Sequence, residues 1–156
     1  MLNVYTDTSV IGGCFDVEFQ EYSNALIEEF KCGIKHMILS DVVFIELKNA
    51  KKEVTLKLDE VPVTNKSEHN NTPEALRLAE AYIAGGALSN KSLNDALHIA
   101  IATLSKADVL ASWNFKHIVN FNRIKLYNSI NLQLGYSAIE IRSPREILKL
   151  NDYEKD

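Results

Sequence analysis

Predicted strands alternate with segments of helical periodicity along this chain, and this alternation is what most restricts its fold. Most of the segments between the strands repeat apolar residues at helical spacing, as Phe19, Tyr22, Leu26 and Phe30 do. The pattern predicts a three-layer α/β/α protein with a mainly parallel central sheet. The predicted strands are residues 2–6, 37–39, 109–112 and 138–141.

Local signals predict where the helices begin and end. Ser40, Ser92 and Thr72 are candidate N-caps, and Gly33 is a candidate C-terminal cap. Residues 51–58 alternate like a strand but carry charges that suit a helix, and we predict a helix there. Residues 65–71 are polar and are predicted to be a loop. The predicted helices are residues 16–31, 40–50, 51–58, 73–84, 92–105 and 118–131, before a terminal segment that begins at Pro144.

Composition narrows the class of protein. The 156 residues suit a single domain spanning residues 1–156, and 46% are hydrophobic, enough to form a core. The net charge of −4 supplies no general basic field, so any RNA contact needs a local patch. Cys14 and Cys32 are expected to be free packing thiols. The sequence contains no apolar stretch long enough to span a membrane, and we expect a cytoplasmic protein.

Three carboxylates stand in apolar surroundings. Asp7 ends the first predicted strand, Glu46 interrupts an apolar helix, and Asp95 begins an almost wholly apolar helix. Burying an unpaired carboxylate costs on the order of several kcal/mol. The presence of three such residues therefore calls for a common explanation. A divalent cation is the simplest one. In parallel sheets the ligand crevice lies beyond the carboxyl ends of the strands, where these side chains could meet.

Each carboxylate also has an alternative explanation. Ser92 and Asp95 have the spacing of a capping box, in which the carboxylate serves the helix N-terminus. Asp7 could cap a helix that follows the first strand, and Glu46 could point to solvent. If the acids share one pocket, the pKa of at least one of them is expected to be raised, because like charges resist full ionisation.

The order of these acids resembles that of the PIN domain, a family of metal-dependent ribonucleases. The resemblance implies a PIN-like fold, with Asp7, Glu46 and Asp95 as ligands of Mg²⁺ or Mn²⁺ and, together with Asn114, as the catalytic residues. Asn114 stands where the family normally has a fourth acid. The matching motifs are Asp7-Thr8-Ser9, Ser40-Asp41-Val42-Val43-Phe44-Ile45-Glu46-Leu47, Asn94-Asp95-Ala96-Leu97-His98-Ile99-Ala100 and Ala111-Ser112-Trp113-Asn114-Phe115.

The resemblance extends to partners. Ser112-Trp113-Asn114-Phe115-Lys116-His117 is similar to a subgroup that includes toxins of bacterial toxin–antitoxin pairs. It implies RNA as substrate, an antitoxin protein as partner and self-association as a homodimer. Weaker candidates for substrate contact are Thr8, Ser9, Lys48, His98, Ser112, Lys116 and His117.

Each of these weaker candidates also has an interpretation that involves no substrate contact. A partly buried His98 bonded to backbone is favoured over one that supports Asp95, and each lysine is more simply a solvated charge. Thr8 or Ser9 is expected to orient Asp7, and Trp113 is expected to pack in the core.

Two functions compete. The first is a metal-dependent endoribonuclease that hydrolyses RNA phosphodiester bonds, as a toxin held in check by an antitoxin. The second is a PIN-fold module that binds RNA or protein and whose catalysis is impaired because Asn114 replaces an acid. An aspartate-nucleophile phosphatase would need a second Asp where Ser9 stands, and the cysteines and histidines lack zinc-ligand spacing.

Overall fold

The structure, a computed structural model, describes residues 1–150 and has a parallel five-stranded sheet with helices on both faces. This confirms the predicted three-layer class; residues 151–156 of the predicted domain lie outside the described residues. The strands are β1 (Asn3–Thr6), β2 (His36–Ser40), β3 (Lys66–His69), β4 (Val109–Ala111) and β5 (Ile141–Arg142). The helices are α1 (Thr8–Gly13), α2 (Gln20–Lys31), α3 (Asp41–Leu47), α4 (Lys52–Asp59), α5 (Pro73–Ala84), α6 (Leu93–Leu104), α7 (Phe121–Gln133) and α8 (Pro144–Leu150), with 3-10 helices at Val63–Asn65 and Asn90–Ser92.

The strand order creates a crevice beside the central strand. The order is β3-β2-β1-β4-β5, and all four neighbouring pairs are parallel. Since β2 and β3 lie on one side of β1 while β4 and β5 lie on the other, the connections diverge at the carboxyl ends of β1 and β4. Ligand crevices form at such switch points. Asp7 follows β1 and Ser112 follows β4, so both lie at this crevice.

Alternate residues of the strands fill two separate cores. Tyr5 and Leu110 belong to the core beneath α5, α6 and α7. Their neighbours Val4 and Val109 belong to the core on the opposite face, which packs against α1 to α4 and α8. This two-sided burial explains why these strands are apolar throughout rather than alternating.

Strand β3 was missed by the sequence analysis, which predicted a loop at residues 65–71. Its residues Lys66–His69 are polar because β3 is an edge strand that pairs with β2 alone among the described elements. Charged side chains on an edge strand oppose pairing with other chains. An edge strand of this kind carries no apolar signal to detect.

Helix α1 was not among the predicted helices, although the capping interpretation of Asp7 anticipated a helix there, and some predicted boundaries were wrong. Gly12 and Gly13 lower the helix propensity of α1, which masked it. The helix predicted from residue 16 begins at Gln20, and the one predicted from residue 118 begins at Phe121. Strand β5 is shorter and later than the predicted residues 138–141.

Several local predictions are confirmed. Thr72 caps α5 by accepting a hydrogen bond from Ala75 N at 3.1 Å, and Gly33 has a φ of 75° after α2. The ambiguous residues 51–58 are mostly helical, as α4. Ser40 and Ser92 occupy N-cap positions, but neither side chain makes a capping hydrogen bond.

The cysteines and the helix lengths agree with expectation. Cys14 is buried and Cys32 is exposed, and both are free thiols. Burial raises the pKa of Cys14 to about 11, which suits a packing residue rather than a nucleophile. Within residues 1–150, every helix is too short or too polar to cross a membrane.

Candidate functional site

Asp7 is held rigidly at the end of β1. Its carboxylate is 3% exposed, and Oδ1 accepts hydrogen bonds from Ser9 Oγ at 2.6 Å and Val10 N at 3.3 Å. Oδ2 accepts from Ser112 Oγ at 2.5 Å. Burial raises the pKa of Asp7, against the opposing effects of the His98 charge and these hydrogen bonds. Asp7 is therefore both the N-cap of α1, as one interpretation predicted, and a residue of the crevice.

The segment after β4 is bonded to the segment after β1. Ser112 Oγ, which donates to Asp7, also accepts from Asn114 N at 3.0 Å. Trp113 N donates to Ser9 Oγ at 2.9 Å. Ser9, rather than Thr8, is thus the neighbour that orients Asp7. These bonds set the position of Asn114 relative to Asp7.

Asn114 uses both ends of its side-chain amide within the protein. Its Oδ1 accepts a hydrogen bond from His117 N at 2.9 Å, and hydrogen bonding from the other end of its amide lowers the pKa of Asp95. Because a carboxylate can only accept, the donor to ionised Asp95 is the Asn114 NH₂ group. Asn114 therefore bridges Asp95 and His117.

Asp95 lies in the first turn of α6 and is partly buried. Burial raises its pKa most; the charges of His98 and His117 lower it, and the charge of Glu46 raises it. The predicted rise in pKa is confirmed, but desolvation is its main cause and like-charge repulsion is secondary. The capping-box interpretation is wrong for its Ser92 half, because the Ser92 side chain makes no capping bond.

Glu46 points inward rather than to solvent. Its Oε1 accepts hydrogen bonds from Thr8 Oγ1 at 2.8 Å and from His98 Nε2 at 2.5 Å, and its side chain is 30% exposed. Burial alone would raise the pKa of Glu46. The hydrogen bond and charge of His98, with the Thr8 hydrogen bond, outweigh burial and lower it.

His98 belongs to a buried chain of side-chain hydrogen bonds. Its Nδ1 lies 2.7 Å from Tyr5 OH, which lies 2.7 Å from Ser40 Oγ. With Glu46 ionised, Nε2 carries the proton, so in neutral His98 the Nδ1 atom accepts from Tyr5. The favoured interpretation of a histidine bonded to backbone is wrong. Sequence reasoning missed these roles of Tyr5, which was predicted only as part of a buried strand, and of Ser40, which was predicted as an N-cap.

The remaining candidates divide into two groups. Thr8, Ser9, His98 and Ser112 contact the acids directly, and the charge of His117 acts on Asp95. The Nδ1 atom of His117 is buried without a hydrogen-bond partner. In contrast, Lys48 and Lys116 are exposed, and their side chains make no hydrogen bond or ion pair with any residue of the described range. Trp113 packs against Phe19, as predicted.

Asp7, Asp95 and Glu46 are of the residue type that binds a hard cation, but they are not all placed to bind the same ion. Asp7, Asn114 and Asp95 are linked through Ser112, and Glu46 is near enough to Asp95 to influence its pKa. Carboxylate oxygens are the ligands that Mg²⁺ and Mn²⁺ prefer. However, no three His, Cys, Asp or Glu side chains within residues 1–150 are arranged so that they could hold a metal ion. An ion bound here would use one or two carboxylates and complete its shell with water.

Comparisons with known proteins identify the fold. No family model matches the chain, and no curated protein matches it. Among solved structures, a chain of the crystal structure of VapBC2 from Rickettsia felis bound to a DNA fragment from their promoter superimposes with a TM-score of 0.56. The match covers 91% of this chain and 98% of that chain at 17% sequence identity. The likeness establishes the fold.

Proposed function

We propose that this protein is a PIN-type endoribonuclease that requires Mg²⁺ or Mn²⁺ and hydrolyses phosphodiester bonds in RNA. The main support is that Asp7 and Asn114 are joined through Ser112 Oγ, and that Asn114 and Glu46 both act on the pKa of Asp95, at the switch point of a PIN-like sheet. Sequence-distant acids at such a crevice have no structural purpose that packing alone explains.

The protein's own residues contribute orientation and charge. A bound divalent ion supplies Lewis-acid polarisation of the phosphate and a more acidic water. Asp7 is held on both oxygens, so its position needs no rearrangement when a cation arrives. His98 and Thr8 keep Glu46 ionised and oriented. The Asn114 amide orients Asp95, the most accessible of the aspartates in the crevice.

We also propose a protein partner. The VapBC2 structure is a complex bound to promoter DNA, which supports the hypothesis that this chain is a toxin paired with an antitoxin. Exposed apolar side chains, Phe44 and Ile45 on α3 and Val63 in the 3-10 helix after α4, offer a surface for such a partner. A homodimer is proposed as well, because a second subunit could add basic groups near the acidic crevice.

The deciding experiment compares Asp95→Asn with Asp59→Asn in Mn²⁺-dependent cleavage of a mixed RNA pool. Asp59 is an exposed acid on α4, so its substitution removes the same charge away from the crevice. We expect Asp95→Asn to lose more than about 100-fold in rate, beyond the loss typical of supporting residues, while the control keeps its activity. Equal activity of the two variants would contradict the proposal.

A second function has specific support. The side-chain carbonyl oxygen of Asn114 already accepts a hydrogen bond from His117 N. Within the described chain, the crevice also lacks three acids placed to hold a metal ion. Both features are expected of a non-catalytic module that binds RNA or protein. If wild type binds RNA without cleaving it while Asn114→Asp cleaves, the binding module is the better description.

A further inference from the structure

We infer that a groove beside the candidate site binds an unstacked nucleobase of the RNA strand next to the cleaved phosphate. The inference rests on the proposed function. The groove has a volume of about 440 Å³ and shares Ser9 and Asn114 with the site. This volume is within the range of about 300–1,000 Å³ that small-molecule sites occupy.

Aromatic rings form one wall of the groove. The rings of Phe19 and Trp113 stack with centroids 4.4 Å apart and an interplanar angle of 19°. Phe19 and Trp113 both line the groove. Single-stranded nucleic acids bind by stacking bases on such rings, because every base has a π face.

Two glycines keep the groove open. A Cβ on Gly13 would lie 2.6 Å from Ser23 Oγ and 2.9 Å from Trp113 Nε1, so only glycine allows the indole to donate to Ser23 at 2.8 Å. A Cβ on Gly12 would meet nothing within 4 Å, so a side chain there would occupy open space. Gly12 also lines the groove, and a larger residue at this position would therefore fill it.

Asp16 decides which part of a nucleotide the groove accepts. One of its carboxylate oxygens accepts a hydrogen bond from Glu18 N at 2.8 Å, and the other has no hydrogen-bond partner within residues 1–150. A carboxylate repels a phosphate but accepts from the exocyclic amino group of guanine, adenine or cytosine. The groove therefore suits a base, and it favours bases with an amino group over uracil.

The groove connects directly to the acids. Ser9 donates to Asp7, and Asn114 hydrogen-bonds to Asp95. A base held between Ser9, Asn114 and the aromatic wall would bring its own phosphate to the crevice. Base binding would then set which phosphodiester bond is cut.

The test uses Trp113, the single tryptophan of the chain, as a fluorescent reporter in the groove. GMP, CMP, UMP and ribose 5-phosphate are titrated into the full-length protein without metal. We expect saturable changes with GMP and CMP, binding of UMP about three- to tenfold weaker, and no response to ribose 5-phosphate. Asp16→Asn should remove the preference over UMP.

Gly12→Val should abolish the response, and Thr55→Val, an exposed position on α4, should not. Phe19→Ala should also weaken binding, because Phe19 lines the groove, and it does not depend on tolerance of valine in α1. A response to ribose 5-phosphate equal to that of GMP, or unchanged binding in Phe19→Ala and folded Gly12→Val, would overturn the inference.

The result is separable from the proposed function. Nucleotide binding that persists in a protein without RNA cleavage would support the groove and contradict the nuclease. RNA cleavage without any fluorescence response to nucleotides would support the nuclease and contradict the groove.

Discussion

The side-chain carbonyl oxygen of Asn114 accepts the backbone N–H of His117 at 2.9 Å, and hydrogen bonding from the Asn114 amide lowers the pKa of Asp95. Asn114 stands where the PIN resemblance implies a fourth acid. It is a neutral residue between Asp95 in α6 and the turn that contains His117. It orients Asp95 without adding a charge to a crevice that already contains Asp7, Asp95 and Glu46. This relationship makes position 114 the sharpest place to test the site.

Asn114→Asp should tighten Mn²⁺ binding and destabilise the metal-free protein. The new carboxylate faces Asp95 where an N–H donor stood, so it repels Asp95 and attracts a cation. We expect a gain in metal affinity on the order of 1 kcal/mol after screening, measured by isothermal titration calorimetry. Asn114→Ala, which loses the bridge but adds no charge, is the control. Equal Mn²⁺ affinities of the two variants would show that a charge at position 114 does not affect metal binding.

Tyr5→Phe should lower the free energy of unfolding by about 1–3 kcal/mol. The variant removes the hydroxyl that lies between Ser40 Oγ and His98 Nδ1, leaving buried polar atoms without partners. Urea denaturation measures the change. Tyr136→Phe removes a hydroxyl that bonds Glu74 at an exposed position and should cost less than about 1 kcal/mol. Similar losses in both variants would mean that the buried chain is not a coupled unit.

Asp95→Asn should stabilise the metal-free protein at neutral pH. Burial raises the pKa of Asp95 above its unfolded value of 3.8, so the folded state retains the proton longer than the unfolded state. Stability from this group is therefore full below that value and is lost as pH rises through the folded pKa. As the pH rises from about 4 to 7, the thermal midpoint of Asp95→Asn should fall less than that of wild type. The control Asp59→Asn should follow wild type. Parallel pH profiles would contradict the raised pKa.

Millimolar Mn²⁺ should raise the thermal midpoint of wild type, since a ligand that binds only the folded state stabilises it by mass action. At 100 times the dissociation constant the gain is about 2.7 kcal/mol. The shift should shrink in Asp7→Asn and Asp95→Asn but persist in Asp59→Asn. An equal shift in all of these proteins would assign the ion to another place.

Gly13→Ala and Gly12→Ala, neighbours in the same helix, should have opposite effects. The added Cβ at position 13 collides with Ser23 Oγ and Trp113 Nε1, which should cost about 1–3 kcal/mol. At position 12 nothing lies within 4 Å, and alanine should stabilise the helix by about 0.5–1 kcal/mol. Differential scanning calorimetry would compare them. Equal midpoints would contradict the close packing of Trp113.

Much of the site was predictable because its position follows from local pattern. Asp7 stands at the end of an apolar run and Asp95 at the start of a helix, and parallel topology brings such places together. The motif around Asn114 marked the crevice edge in the same way. Thr72 begins α5 and Gly33 follows the end of α2 through interactions within a few residues, which a sequence records directly.

The amino-acid sequence by itself determined the alternation of strands and helices, the parallel class of the sheet and the places of the acids, because periodicity and capping are local. Only the tertiary structure decided that polar β3 is an edge strand, that His98 joins Tyr5 to Glu46 across 93 and 52 residues, and that Asn114 serves Asp95 rather than standing free. These features depend on which distant segments meet, and desolvation and hydrogen bonding act only after that meeting.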